Sequence, residues 1–205
     1  ETLAEVASNM ARARDALDQQ ADHAAGNILR LEAGAWVIRA DAFFAEPEEI
    51  RRRLMIRALG QISGGAYPPR RGPVAALIAG LANGQGATLD GCQILLRRGE
   101  IWVFREYNAV RNLHVPADHL WDGRWRAVPP TVFPMGAELR ALGPEGLAYC
   151  PDWRSFGRPR AMLLSTPAVW QGGRLLAAPL AGLDEKWHVL LERDAGWLKT
   201  TPLSH

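Results

Sequence analysis

The chain has 205 residues, of which 48% are hydrophobic and 22% are charged, and its formal net charge is +2. This composition is typical of a globular protein and argues against an intrinsically disordered one. No apolar run reaches the roughly 20 residues that cross a bilayer, and no secretory signal pattern opens the sequence. We therefore expect a cytoplasmic protein without membrane contact, whose two cysteines, Cys92 and Cys150, are reduced and buried.

The first 25 residues predict a helix, because apolar residues from Leu3 to Leu17 recur at three- and four-residue spacing. No clear N-cap precedes this helix. A chain that begins inside a helix is expected to be part of a longer protein, although proteolysis would give the same appearance. The segment AWVIRA, from Ala35, then predicts a short extended stretch.

Residues 41–62 predict a second helix, with Pro47, Glu48 and Glu49 marking a helix start. At about 100° per residue, Arg53 and Arg57 are expected to project away from the apolar ridge, whereas Arg51 falls inside the apolar sector. The ridge that should face the core consists of Ile50, Leu54, Ala58, Leu59 and Ile62.

Ser63-Gly64-Gly65 has the first three letters of the phosphate-binding loop found in one class of ATP-dependent enzymes. That loop follows a strand and continues into an Asp-Ser pair, whereas here a helix precedes the glycines and Ala66-Tyr67 follows them. Pro68 and Pro69 also remove backbone N–H donors that a phosphate site needs. We therefore interpret this segment as a helix stop and connector.

A further helix is predicted from Pro73, and a β-hairpin from Gln93 to Arg105 with its turn at Arg98-Gly99. The hairpin's second strand is almost continuously apolar, so both of its faces should be covered.

The last third is rich in proline and glycine. Hairpin turns are predicted at Asp122-Gly123 and Gly172-Gly173, and a last strand in WHVLLERD. GAELRAL predicts a strand with a short helix, and SFGRPRAMLLS a second short helix. The fold class is therefore α+β. A mainly helical first domain that ends in the β-hairpin (1–110) precedes a small α+β domain with antiparallel strands (111–205).

Side chains suited to catalysis or metal binding are sparse. His114 and His119 lack metal-ligand spacing and are expected in a surface loop. No nucleophile motif and no acid–base pair stands out, so we predict neither a catalytic residue nor a metal site in this chain.

Arginines, by contrast, are clustered. Residues 50–72 contain six arginines and no carboxylate. Two interpretations remain open for Arg52 and Arg53: ion pairs with Glu48 and Glu49 on the same helix face, or phosphate contacts to RNA. The candidate nucleic-acid-binding residues are Arg51, Arg53, Arg57, Arg70, Arg71, Arg97 and Arg98.

The eight tryptophans could stack on RNA bases. Trp102, Trp121 and Trp170 are expected instead to fill cores.

Four segments carry a resemblance to a known family. They are the first helix ETLAEVASNMARARDALDQQAD, the helix ending in EEIRRRLMIRALGQISGGAYPPR, the segment NGQGATLDGCQILLRRGEIWVFRE, and PAVWQGGRLLAAP. In this order they resemble the C-terminal half of bacterial tRNA(Ile)-lysidine synthetases. The best-matching piece runs from Thr88 to Glu106.

The resemblance implies a tRNA-recognition region of an ATP-dependent C–N ligase that makes lysidine from the wobble cytidine of tRNA(Ile) during tRNA processing. ATP with Mg²⁺ and L-lysine are then expected at a catalytic domain preceding this chain, with no cofactor here and tRNA(Ile) as the partner. No catalytic residue is carried over. The alternatives are a protein-interaction or oligomerisation module, including a homo-oligomer, and a self-contained hydrolase.

Overall fold

The computed structural model describes residues 2–65, 67–184 and 186–192. Its α-helices are α1 (Leu3–Ile28), α2 (Ala40–Ala45), α3 (Glu48–Ser63), α4 (Arg71–Ala82), α5 (Tyr107–Val110), α6 (Gly143–Leu147) and α7 (Arg160–Leu164). Its strands are β1 (Leu29–Glu32), β2 (Ala35–Arg39), β3 (Ala87–Leu89), β4 (Cys92–Arg97), β5 (Glu100–Arg105), β6 (Val115–Pro116), β7 (Trp125–Val128), β8 (Ala137–Ala141), β9 (Pro167–Gln171), β10 (Arg174–Ala177) and β11 (His188–Leu191). The predicted α+β fold class is confirmed.

Helix α1 is capped, contrary to the sequence-based expectation. The Thr2 side chain accepts a hydrogen bond from the Glu5 N–H, and the Glu5 carboxylate accepts one from the Thr2 N–H. This reciprocal arrangement satisfies two N–H groups that the first turn leaves free. Thr2-x-x-Glu5 is therefore the start signal of the helix.

The first half of the chain also contains a five-stranded antiparallel sheet in the order β1-β2-β5-β4-β3. The predicted hairpin is its centre, with Arg98 and Gly99 both at positive φ in the β4–β5 turn. Strand β1 and the β1–β2 hairpin were not predicted from the sequence, because Leu29–Glu32 continues the apolar spacing of α1 without a break.

One face of this sheet packs against α1, α3 and α4. The predicted ridge of α3, from Ile50 to Ile62, is fully buried there. Along β5, Ile101 and Val103 point into this core, while Trp102 and Phe104 lie in a second cluster on the opposite face. Both faces of the strand are covered, as its apolar sequence predicts.

The second half forms a four-stranded antiparallel sheet (β10-β9-β8-β6) and a two-stranded sheet (β11-β7). The turns at Asp122-Gly123 and Gly172-Gly173 occur as predicted. Strand β11 confirms the strand predicted from WHVLLERD, the last two residues of which lie outside the described residues. Trp121 and Trp170 lie buried in the two cores of this half.

Contacts between the two halves include the following. Met162 of α7 packs on Trp102 and Phe104, and Arg158 Nε lies 3.1 Å from a Glu32 carboxylate oxygen. Gly34 has a φ of +79°, and a Cβ at this position would overlap the Trp125 ring. The division at residue 110 stays a prediction, because the two halves share buried surface.

No described helix is both long enough and apolar enough to cross a membrane.

Candidate nucleic-acid interface

Six charged side chains form a cluster where α3 packs on α1, and we call them the ion-pair cluster. They are Arg52, Arg53 and Arg57 with Asp18, Asp22 and Glu49. Arg53 Nη1 lies 2.6 Å from Asp18 Oδ1, and Arg57 Nη1 lies 2.6 Å from Asp22 Oδ1. Asp18 also receives Arg57 Nη2 at 2.9 Å. Three arginines thus face three carboxylates, so the cluster as a whole adds no net positive charge.

The two arginines that pair with α1 are buried, so these ion pairs belong to the packing of α3 on α1. Arg53 is 6% exposed and Arg57 is 8% exposed, so neither is a surface residue, although both project away from the apolar ridge of α3 towards α1. Helix α1 covers the side of α3 from which both arginines project. The spacing of residues within α3 does not predict this packing. A guanidinium that is buried and already paired with carboxylates has little capacity left for a phosphate.

The same-helix alternative for Arg52 and Arg53 is correct in one respect. Glu49 accepts hydrogen bonds from both arginines, at 2.7 and 2.8 Å from Arg52 and at 2.8 Å from Arg53. The bond from Arg52 lowers the pKa of Glu49. The pairing expected with Glu48 does not occur among the described residues.

Sequence reasoning missed the carboxylates of α1, although a signal was present. Asp18 and Asp22 are four residues apart, as are Arg53 and Arg57, and the direct pairs share one offset of 35 residues. Matching i,i+4 spacing of opposite charges on two helices is compatible with a ladder between their faces.

Arg70 and Arg71 are exposed, and they border a groove of about 840 Å³. We call it the Tyr67 groove; it lies between α1, α3 and the segment from Tyr67 to Arg71. Five arginines line it: Arg14, Arg52, Arg53, Arg70 and Arg71. No carboxylate occurs among the described residues that line it. Its potential is therefore positive along the rim that Arg70 and Arg71 form.

Arg51 lies next to this groove, in a pocket of about 270 Å³ between α3 and α4 that we call the Arg51 pocket and that Glu48 also lines. Arg52 and Arg71 line both the Tyr67 groove and the Arg51 pocket, so the groove and the pocket form one continuous surface. Arg51 Nε is buried and has no hydrogen-bond partner among the described residues. Within that part of the chain, no carboxylate pairs with Arg51, Arg70 or Arg71.

Arg97 and Arg98 lie elsewhere, at the tip of the β4–β5 hairpin. Arg97 is half-buried and donates a hydrogen bond to the Gly157 carbonyl, while Arg98 is exposed. The small depression beside them also contains the carboxylates of Glu32 and Glu100. The structure therefore brings Arg51, Arg70 and Arg71 together and leaves this pair apart from them.

The Ser63-Gly64-Gly65 segment is the end of α3. Gly64 has a φ of +68° and donates its N–H to the Gly60 carbonyl at 2.9 Å, the left-handed cap that commonly ends a helix. The Ser63 hydroxyl accepts the Gly65 N–H. These atoms are engaged with one another, so the segment does not fit an ATP phosphate.

The remaining polar groups behave as surface or core residues. His114 and His119 are exposed, and no group of metal-ligating side chains occurs among the described residues. Cys92 and Cys150 are unpaired and buried. Burial raises the pKa of the Cys92 thiol to about 12, so it stays protonated at neutral pH.

Known proteins supply a direct comparison. No protein-family model matches the chain. The chain is 46% identical, over 203 residues, to the tRNA(Ile)-lysidine synthase of Ruegeria pomeroyi. The match covers 99% of this chain and 48% of that relative, so the chain spans about half the length of the curated relative it matches. The resemblance noted from the sequence is thereby confirmed: over nearly its whole length, the chain is similar to one part of a tRNA(Ile)-lysidine synthase.

Proposed function

We propose that this chain is the tRNA-binding C-terminal region of a tRNA(Ile)-lysidine synthetase. The similarity to the Ruegeria pomeroyi enzyme supports the family. The continuous surface of the Tyr67 groove and the Arg51 pocket supports the role, because Arg51, Arg70 and Arg71 have no carboxylate partner among the described residues and can bind phosphate.

In this proposal the whole enzyme uses ATP with Mg²⁺ to activate the wobble cytidine of tRNA(Ile), and L-lysine then attacks the activated carbon. Neither ATP nor lysine is assigned to the described residues, since the Ser63-Gly64-Gly65 segment is a helix end. The part played by this chain is to hold the tRNA backbone. Contacts to phosphate fix position and register and do not read sequence.

Of the seven candidate RNA-binding residues, we assign three to the principal interface. Arg51, Arg70 and Arg71 carry it, whereas Arg53 and Arg57 stabilise the packing of α1 on α3. Arg97 and Arg98 form a separate, secondary candidate at the hairpin tip. An RNA long enough to reach both regions would contact both.

Alanine substitution tests the assignment. We expect the R51A/R70A/R71A variant to bind tRNA at least about tenfold more weakly than the wild-type chain, since each lost arginine removes a charge-assisted contact. The R39A/R111A/R174A variant is the matched control, because it also removes three arginines, all of them exposed and outside the Tyr67 groove and the Arg51 pocket. Filter binding at fixed ionic strength measures both. Equal affinities for the two variants, or no tRNA binding by the wild-type chain, would overturn the proposal.

One observation favours a second candidate function, a protein-interaction or oligomerisation module. The first turns of α1 expose Leu3, Val6 and Met10 on successive turns, a pattern typical of a helix face that packs on another protein. Light scattering with and without tRNA distinguishes the two functions. A tight dimer that ignores tRNA supports the module, and a monomer that gains mass only with tRNA supports the RNA-binding role.

A further inference from the structure

The Tyr67 groove combines a charged rim with an apolar interior. Met10 is 68% exposed, and its side chain, with those of Leu17 and Ile56, lines the groove beside Pro68 and Pro69. A site that only held phosphates would need the arginines but not this apolar lining. The apolar lining and the arginine rim together fit a ligand that has both a flat apolar part and negative charge.

Tyr67 is the aromatic residue of the groove, and it is 83% exposed. With this exposure, the Tyr67 ring does not pack in a core. Its hydroxyl has no hydrogen-bond partner among the described residues. Pro68 and Pro69 follow it directly and fix their own φ angles. The ring is therefore carried by a stiff segment, which reduces the entropy lost when a ligand stacks on it.

Arg70 and Arg71 follow three and four residues after Tyr67, and all three line the same groove. Exposed aromatic rings beside arginines are the combination that proteins use for single-stranded nucleic acid, in which bases stack on the ring and phosphates contact the guanidinium groups. The groove volume of about 840 Å³ lies within the range of pockets that enclose a small ligand.

We infer that the Tyr67 groove takes an unpaired RNA nucleotide, whose base stacks on the Tyr67 ring while its phosphates contact Arg70 and Arg71. This inference rests on the proposed function. It further requires that the bound RNA has an unpaired base outside its helical stem. The occupant is RNA rather than a protein helix because the rim of the groove carries Arg70 and Arg71, which have no carboxylate partner among the described residues, while the carboxylates that pair with Arg52 and Arg53 do not line it.

Substitutions at Tyr67 test the inference. Loss of one stacked base weakens binding by roughly tenfold, so Y67A should bind a short single-stranded RNA about tenfold more weakly than the wild type. Y67F keeps the ring and should bind within about twofold of the wild type. Y149A is the matched control, because Tyr149 is also exposed and lies outside the groove. Urea unfolding of each variant checks that the fold is retained.

A base analogue gives a readout that phosphate contacts alone would not move. An RNA oligonucleotide that contains 2-aminopurine should lose fluorescence on binding the wild-type chain and Y67F, because stacking quenches the base, and much less on binding Y67A. If Y67A and Y67F bind and quench alike, the inference is wrong.

The outcome separates this inference from the function it rests on. Unchanged binding by Y67A, together with weakened tRNA binding by R51A/R70A/R71A, would refute base stacking and leave the proposed function standing. The apolar lining of the groove would then be assigned to a protein contact. Failure of both sets of variants to affect binding would remove the proposed function as well.

Discussion

Asp18 holds the ion-pair cluster together, since it contacts both buried arginines of α3. Asp18→Ala leaves Arg53 with Glu49, and Arg57 with Asp22, as their remaining partners. Removing one partner of a fully buried pair costs about 3–5 kcal/mol. The Asp18 side chain is 25% exposed, and one partner remains for each arginine, so we expect a loss of about 2 kcal/mol.

Urea unfolding measures this loss. With a slope of about 2 kcal/mol per molar urea, the midpoint should fall by about 1 M while the slope stays unchanged. Asp15→Ala is the control: its carboxylate is 65% exposed and lies 3.8 Å from Arg14 Nε, so its effect should stay within about 0.5 kcal/mol. Both variants replace aspartate by alanine in the same helix, so helix propensity cancels between them. Equal midpoints for the two variants would refute the structural role of the cluster.

Three further results are expected. Gly34→Ala should lower the free energy of unfolding by about 3 kcal/mol or more, because a Cβ would overlap Trp125 at a positive φ; Gly99→Ala, at a positive φ in open space, is its control and should cost less. Because burial raises the pKa of Cys92 from 9.0 to about 12, its contribution to stability is complete below pH 9 and is lost as pH rises towards 12, by about 1.4 kcal/mol per pH unit. Urea unfolding at pH 8 and pH 10.5 should show a larger loss in the wild type than in Cys92→Ala, which keeps only the contribution of Cys150, whose pKa burial also raises. A thiol reagent at pH 8 should label neither buried cysteine until urea unfolds the chain, and rapid labelling in the native state would contradict the burial.

Local signals in the sequence predicted much of the fold. The hairpin turns at Arg98-Gly99, Asp122-Gly123 and Gly172-Gly173 could be predicted because glycine and its neighbours accept the positive φ that tight turns need. Gly64 likewise marked the end of α3. Strand β1 was missed because its four residues continue the pattern of α1, although the turn that joins it to β2, Ala33-Gly34, has the same positive φ angles as the predicted turns.

The candidate site was harder to predict than the fold. Sequence reasoning grouped arginines by their position along the chain, whereas the structure sorts them by their partners. Arg53 and Arg57 are paired across 35 residues with α1, and only the packing of two helices shows this. Arg70 and Arg71, two of the nucleic-acid-binding candidates, are exposed, because the Pro-Pro segment leaves them outside the preceding helix; their binding role stays a prediction. The role proposed for Tyr67 had no signal in the sequence beyond its place beside two prolines.

The central claim is that the surface formed by Arg51, Arg70 and Arg71 binds the RNA backbone, while the arginines of the ion-pair cluster hold the fold. The dependence of tRNA affinity on salt tests it most directly, since each phosphate contact releases counterions. In a plot of log Kd against log salt concentration, R51A/R70A/R71A should lose about 3 units of slope relative to the wild type, about 1 per arginine. A slope equal to that of the wild type would contradict the claim.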